Sequence, residues 1–166
     1  MVLMSKEKKK CLLAVRVRGS AGLKHRIKAI LRDLGLNRRN QAIIMADTPA
    51  IRGTLKVVKD TLFWGEATED ILSLLLNKRT KMPKVGSLTD QEVKKRFSIS
   101  TIESLAKSLS KGEIKPQDLK RHGVNIKYNL NSPKGGYGGK IKDPFGKGGV
   151  LGYRGEAIGE LVKKMI

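Results

Sequence analysis

The chain has a single cysteine, a single tryptophan and an aromatic share of 4%, and its acids are outnumbered by bases, 15 to 35, over 166 residues. Cys11 has no second thiol to pair with, so disulfide staples are excluded, as is a Cys/His zinc-finger spacing. It lies in the apolar run Cys11-Leu12-Leu13-Ala14-Val15, which predicts a buried, reduced thiol and fits a reducing cytoplasm. No apolar run approaches the roughly 20 residues needed to cross a bilayer. The opening residues Met1 to Lys10 lack the charged, apolar and small-residue order of a secretory signal. A soluble chain with no membrane partner is therefore expected. Only two histidines are present, His25 among lysines and His122 before Gly123. Each reads as a surface or helix-end residue, so no catalytic site, metal or other cofactor is expected.

What the chain does have is positive charge, a formal +20 with a pI near 10.3, together with enough hydrophobic residues, 39%, to build a core. Self-repulsion at that imbalance destabilises a compact state unless a polyanion neutralises it, which points to nucleic acid. From Ser132 to Arg154 glycines are interleaved with Lys134, Lys140, Lys142 and Lys147, and Asp143 is the one acid. This stretch cannot form its own core, and it predicts a mobile arm ordered by a partner.

Three apolar segments of strand length, Cys11 to Val17, Gln41 to Ala46 and Thr61 to Gly65, are separated by two helical patterns. The first helix carries Leu23, Ile27, Ile30, Leu31 and Leu34 on one face with Lys24, Lys28 and Arg32 beside it. The second opens at Thr48-Pro49, buries Ile51, Leu55 and Val58, and exposes Arg52, Lys56 and Lys59. The expected fold class is α+β: a small βαβαβ core at 11–67, with a three-stranded sheet and two helices on one face, after a basic tail at 1–10. A helical insertion is expected at 68–123, with a leucine-bearing helix from Thr68 to Asn77. Further helices would be capped by Thr89…Glu92 and Ser100…Glu103, and another would run from Pro116 to Arg121. The C-terminal extension at 124–166 would hold an extended segment, the Gly-Lys stretch and a last amphipathic helix from Gly155. Because that helix must pack back on the body, the stretch becomes a loop tethered at both ends.

A phosphate-binding loop is excluded, since neither Gly139-Lys140-Ile141 nor Gly146-Lys147-Gly148 has the upstream glycine spacing or the following hydroxyl. Arg18-Gly19-Ser20-Ala21-Gly22 reads equally as a nucleic-acid backbone clamp and as a plain strand-to-helix turn. The remaining basic features are the Lys6 to Lys10 tail, the Arg38-Arg39 corner with the two helical ridges, and the Gly-Lys loop. Tyr137 is the candidate for stacking on a base; Phe145 and Tyr153 are expected to anchor the loop. Without a zipper heptad or a recognition-helix signature, shaped RNA fits better than duplex DNA.

The run Asp47-Thr48-Pro49-Ala50-Ile51-Arg52-Gly53, with Val57-Val58-Lys59-Asp60 and Trp64-Gly65 after it, resembles large-subunit ribosomal protein thirty. The run from Phe145 through Gly152-Tyr153-Arg154-Gly155 to Ile158 is similar to its long archaeal form. The resemblance spans about Cys11 to the end. It implies a non-catalytic, structural role on ribosomal RNA of the large subunit, as a single copy beside neighbouring ribosomal proteins and not as a homo-oligomer. Thr48, Pro49, Arg52 and Gly53, and Gly146 to Arg154, are the positions it carries over. From the basic ridges, the corner and the loop, together with the carried-over positions, the candidate RNA contacts are Lys24, Lys28, Arg38, Arg39, Arg52, Lys56, Lys134, Tyr137, Lys140, Lys142, Lys147 and Arg154. A free RNA chaperone or an architectural nucleic-acid-binding protein is the alternative.

Overall fold

The computed structural model describes residues 10–166, so the basic tail expected over Lys6 to Lys10 lies outside the described residues except for Lys10. The chain starts its sheet with β1 (Cys11–Arg16), every residue of which is buried. A strand covered on both faces reads as an unbroken apolar run, and alternate side chains supply two separate cores. Cys11, Leu13 and Val15 face one, while Leu12 and Ala14 face the other. Burial also pushes the Cys11 thiol well above its ordinary range, so it stays protonated and inert.

The expected three-stranded core is present. β2 (Gln41–Ala46) and β3 (Leu62–Glu66) both run antiparallel to β1, one on each side of it. They are thus parallel to each other, and α2 (Pro49–Val57) is the crossover that carries the chain past β1. Its N-cap is Thr48, whose Oγ1 accepts from the Ile51 amide at 3.2 Å. α1 (His25–Asp33) lies on the same face, where Leu31 and Leu55 are buried with Leu12, Ile43 and Trp64.

The opposite face is covered by the insertion and the last helix. α3 (Glu69–Lys78) buries Ile71, Leu72, Leu75 and Leu76, and α5 (Ile102–Ser110) packs against it. Between them lie a short hairpin, β4 (Lys81–Met82) with β5 (Gly86–Ser87), and α4 (Asp90–Phe97). α6 (Pro116–Arg121) follows. The cap of α5 is Thr101, accepting from the Ser104 amide, and not the expected Ser100. The Thr89 hydroxyl makes no cap bond; instead Asp90 Oδ1 accepts from the Ile102 amide at 2.9 Å, so an acid on one helix caps the next.

The extension contributes more than an arm. β6 (Lys127–Asn129) pairs antiparallel with β2, and β8 (Gly149–Tyr153) adds parallel to β3, with β7 (Lys140–Pro144) parallel beside it. The sheet therefore has six strands in the order β6-β2-β1-β3-β8-β7. α7 (Ile158–Met165) then seals the insertion-side core through Ile158, Leu161, Val162 and Met165.

The join between β3 and β8 depends on Gly65, because a Cβ at that position would overlap the carbonyl oxygen of Gly155. The Arg154 amide donates to the Trp64 carbonyl at 2.8 Å beside it. Gly65→Ala should thus destabilise the chain by about 1–3 kcal/mol, the usual range for overpacking a tight site. Urea denaturation followed by far-ultraviolet circular dichroism reads the loss, and an unchanged midpoint would contradict this packing.

Candidate nucleic-acid interface

The two ends of the sheet differ in charge. β1 and β6 finish at the end where β2 and β3 begin, and β7 and β8 overhang that same end, since Lys140 pairs with Gly149 and Phe63 only with Gly152. Gathered there are the exposed Arg38, Arg39, Lys59 and Lys134 of the loops, Lys140 at the start of β7, and the partly buried Arg18, which donates to the carbonyl of Asp60. The opposite end carries Asp47 and Glu66, followed by Glu69 and Asp70 at the start of α3.

Asn40 organises the basic end. Its backbone takes the left-handed conformation, φ 61°, which asparagine tolerates better than most residues. Its carbonyl accepts from the Leu130 amide at 2.9 Å, its Nδ2 donates to Ser132 Oγ at 3.3 Å, and its Oδ1 accepts from the Tyr137 hydroxyl at 2.6 Å. The Lys134 amide is held by the Lys164 carbonyl at the end of α7. The corner Arg38-Arg39 and the start of the arm, distant in sequence, are thereby brought together. Tyr137 is consequently a tether, half-buried against the core. Burial holds its phenol above the ordinary value, with the charge of Arg39 opposing that shift.

The arm, expected as a loop closed at both ends, contains a strand. Lys140 and Lys142 stand on the edge strand β7, which lies four strand positions from β2, about 19 Å at ordinary strand spacing. Lys147 is exposed in the one-turn helix between β7 and β8. Lys24 and Lys28 are exposed on α1 and Lys56 on α2, so the two ridges lie on the face of the sheet opposite the insertion.

Two expected contacts are already committed within the fold. Arg52 donates from Nε to Asp47 Oδ1 at 2.5 Å and from Nη2 to Oδ2 at 2.6 Å, a two-pronged pair, with Glu66 at 3.9 Å. Arg154 is half-buried, its guanidinium 4.4 Å from the Phe145 ring centre and 5.7 Å from that of Phe63, and burial holds its pKa below the ordinary range. It joins the extension to β3. Tyr153 does anchor, donating to Glu66 Oε1 at 2.5 Å and tilting against Trp64 at 6.2 Å between ring centres, although half of its surface stays exposed. Phe145 stacks on Arg154 and is likewise partly exposed.

Sequence reading also missed Arg16. It is buried at the end of β1 and donates to the carbonyls of Arg18 and Leu36 and to Ser20 Oγ. Ser20 is thus engaged in holding the loop from Val17 to Lys24, which favours the plain-turn reading of Arg18 to Gly22. The one available signal was a charged residue closing an otherwise apolar run. Among the described residues no group of three or more His, Cys, Asp or Glu could hold a metal, and no helix is long and apolar enough to cross a membrane.

The motif residues Asp47, Arg52, Trp64, Gly65, Tyr153, Arg154 and Gly155 thus meet around one seam, although nearly 90 residues separate the two halves in sequence. Residues 12–62 match the family model for ribosomal protein L30p/L7e. Over 152 residues the chain is 38% identical to the large ribosomal subunit protein uL30 of Methanosphaera stadtmanae, covering 92% of this chain and 97% of that protein. The uL30 protein of Ignicoccus hospitalis is 35% identical over 95% of this chain and 99% of its own length. The chain belongs to the L30p/L7e family. This is a structural, non-enzymatic family, and the similarity to archaeal members runs through insertion and extension alike.

The Tyr153–Glu66 bond gives the seam a pH signature. The hydrogen bond to Glu66, then burial, raises the phenol from 10.0 to about 12. The neutral phenol is favoured in the folded chain, so this contribution to stability is complete below pH 10 and is lost as the pH rises through about 12. Ultraviolet titration should show a phenolate step near pH 12 that Tyr153→Phe removes. A step from Tyr153 at its ordinary value near 10 would contradict the bond.

Proposed function

We propose that this chain is a structural constituent of the large ribosomal subunit and that it binds ribosomal RNA with the basic end of its sheet. The observation that carries the reading is the convergence at Asn40 of Arg38, Arg39 and the Lys134 arm, within a protein of formal charge +20. Family membership supports the particle; the geometry supports the surface.

At this end Arg38, Arg39, Lys134, Lys140 and Lys142 would neutralise phosphates along a row of overhanging strands and loops, while Lys24, Lys28 and Lys56 would extend the contact over the helical face. Cations spread over a shaped surface, without a helix presented for groove reading, suit recognition of RNA shape and backbone. The tethers at Asn40 and Lys164 reduce the ordering that binding must impose on the arm. Arg52 and Arg154 would act indirectly, by holding the seam. The reading places the protein in the ribosome as a single copy, against ribosomal RNA and neighbouring large-subunit proteins.

Hydroxyl-radical footprinting of large-subunit RNA with and without the protein tests the reading, and protection no greater than that given by an unrelated basic protein would sink it. Replacing Arg38, Arg39 and Lys134 together with alanine should flatten the salt dependence of binding by about 2.7 in log–log slope, at roughly 0.9 per duplex phosphate contact. A Lys134/Lys140/Lys142 triple-alanine variant should bind the particle more weakly while keeping its circular dichroism spectrum. Unfolding of that variant would show that the arm is part of the core.

A further inference from the structure

The helical insertion holds a groove that the reading above does not use. A cavity of about 430 Å3 opens between the β4–β5 hairpin and the segment that links α6 to β6. Met82, Pro83 and Val124 form its apolar part, and Lys81, Lys120 and Asn125 its polar part. No carboxylate lines it, and among the described residues neither lysine has an ion-pair partner within 4.0 Å. Met82 and Val124 are buried, whereas Lys81, Lys120 and Asn125 are exposed, so the charged groups stand at the rim over an apolar base. Asn125 Oδ1 is occupied, accepting from the Lys127 amide at 3.1 Å. Its Nδ2 makes no hydrogen bond among the described residues.

We propose that this groove takes one unpaired nucleotide of RNA, with the base against Met82, Pro83 and Val124 and the flanking phosphates at Lys81 and Lys120. The volume falls in the range of about 300–1,000 Å3 typical of small-ligand pockets. Apolar lining with cations on the rim matches the chemistry of a base lifted out of its stack, with phosphates on either side. Continuity supports the same occupant, since Asn125 leads directly into β6, whose far end reaches the basic end of the sheet at Asn129. The insertion thereby adds a site for single-stranded RNA to a core that meets RNA shape. The proposal rests on the RNA-binding reading, yet it concerns a different surface.

The full chain, labelled with carbon-13 at the methionine methyls and assigned by Met82→Leu, is titrated with a ten-nucleotide oligouridine. The Met82 methyl resonance should shift and saturate. Lys81→Ala/Lys120→Ala should weaken oligouridine binding about tenfold and flatten its salt slope by roughly 1.4, at 0.7 per single-strand phosphate. A Met82 methyl that stays still while the wild-type chain binds large-subunit RNA overturns the groove and leaves the basic end standing. A shift with oligouridine but no binding of large-subunit RNA does the reverse. An equal Met82 shift on adding a ten-residue polyglutamate peptide overturns the choice of RNA and assigns the groove to an acidic protein segment.

Discussion

The attachment of β8, β7 and α7 to the first three strands depends on the approach of two backbones, Gly65 on β3 and Gly155 just after β8. Where side chains would hold the strands apart, the absent Cβ of Gly65 lets the extension lie against the sheet. The Arg154 amide to Trp64 carbonyl bond then fixes the register. Around that contact Arg154 spans Phe63 and Phe145, Tyr153 reaches Glu66, and Arg52 joins Asp47 close to Glu66. The seam turns a segment with too few apolar residues for its own core into an edge of a six-stranded sheet. It also delivers α7 to the face on which the insertion docks.

The same construction separates the charges. Asp47 and Glu66 meet Arg52 at the seam end, while at the opposite end Arg38, Arg39, Lys134 and Lys140 have no ion-pair partner among the described residues. The proposed RNA surface is thus the end at which charge is left unbalanced, and the helical ridges continue it. Exposed cations repel one another at close range, so a polyanion that meets them stabilises the folded chain as well as binding it. The tethers at Asn40 and at the end of α7 set the arm near its working position beforehand.

Much of this was legible in the residues, for physical reasons that differ by element. The unbroken apolar run of β1 and the three-to-four spacing on α1 and α2 report burial directly, and Thr48-Pro49 reports a cap, so the βαβαβ core could be read. The closure of the arm followed from the apolar face of α7. Strand order could not be read, because a helix between two strands does not say whether β1 lies between them. Nor could β7, whose Lys-Ile-Lys pattern belongs to an edge and carries almost no apolar signal. Among site residues, sequence shows that Arg52, Arg154 and Tyr137 are cationic or aromatic but not what they touch. Their partners Asp47, Phe63 and Asn40 are supplied by the fold. Arg16 was overlooked for the same reason, since its acceptors are backbone carbonyls.

The central claim is that the extension is part of the sheet before any partner arrives. Amide hydrogen exchange on the free chain addresses this directly, followed residue by residue from Gly149 to Arg154 and compared with Leu13 and Ile44 in the central strands. The account predicts that the Arg154 amide, bonded to Trp64, exchanges in the slow class with those core amides. Exchange of Arg154 and its β8 neighbours at the rate of an unstructured peptide, with β1 and β2 still protected, would contradict it.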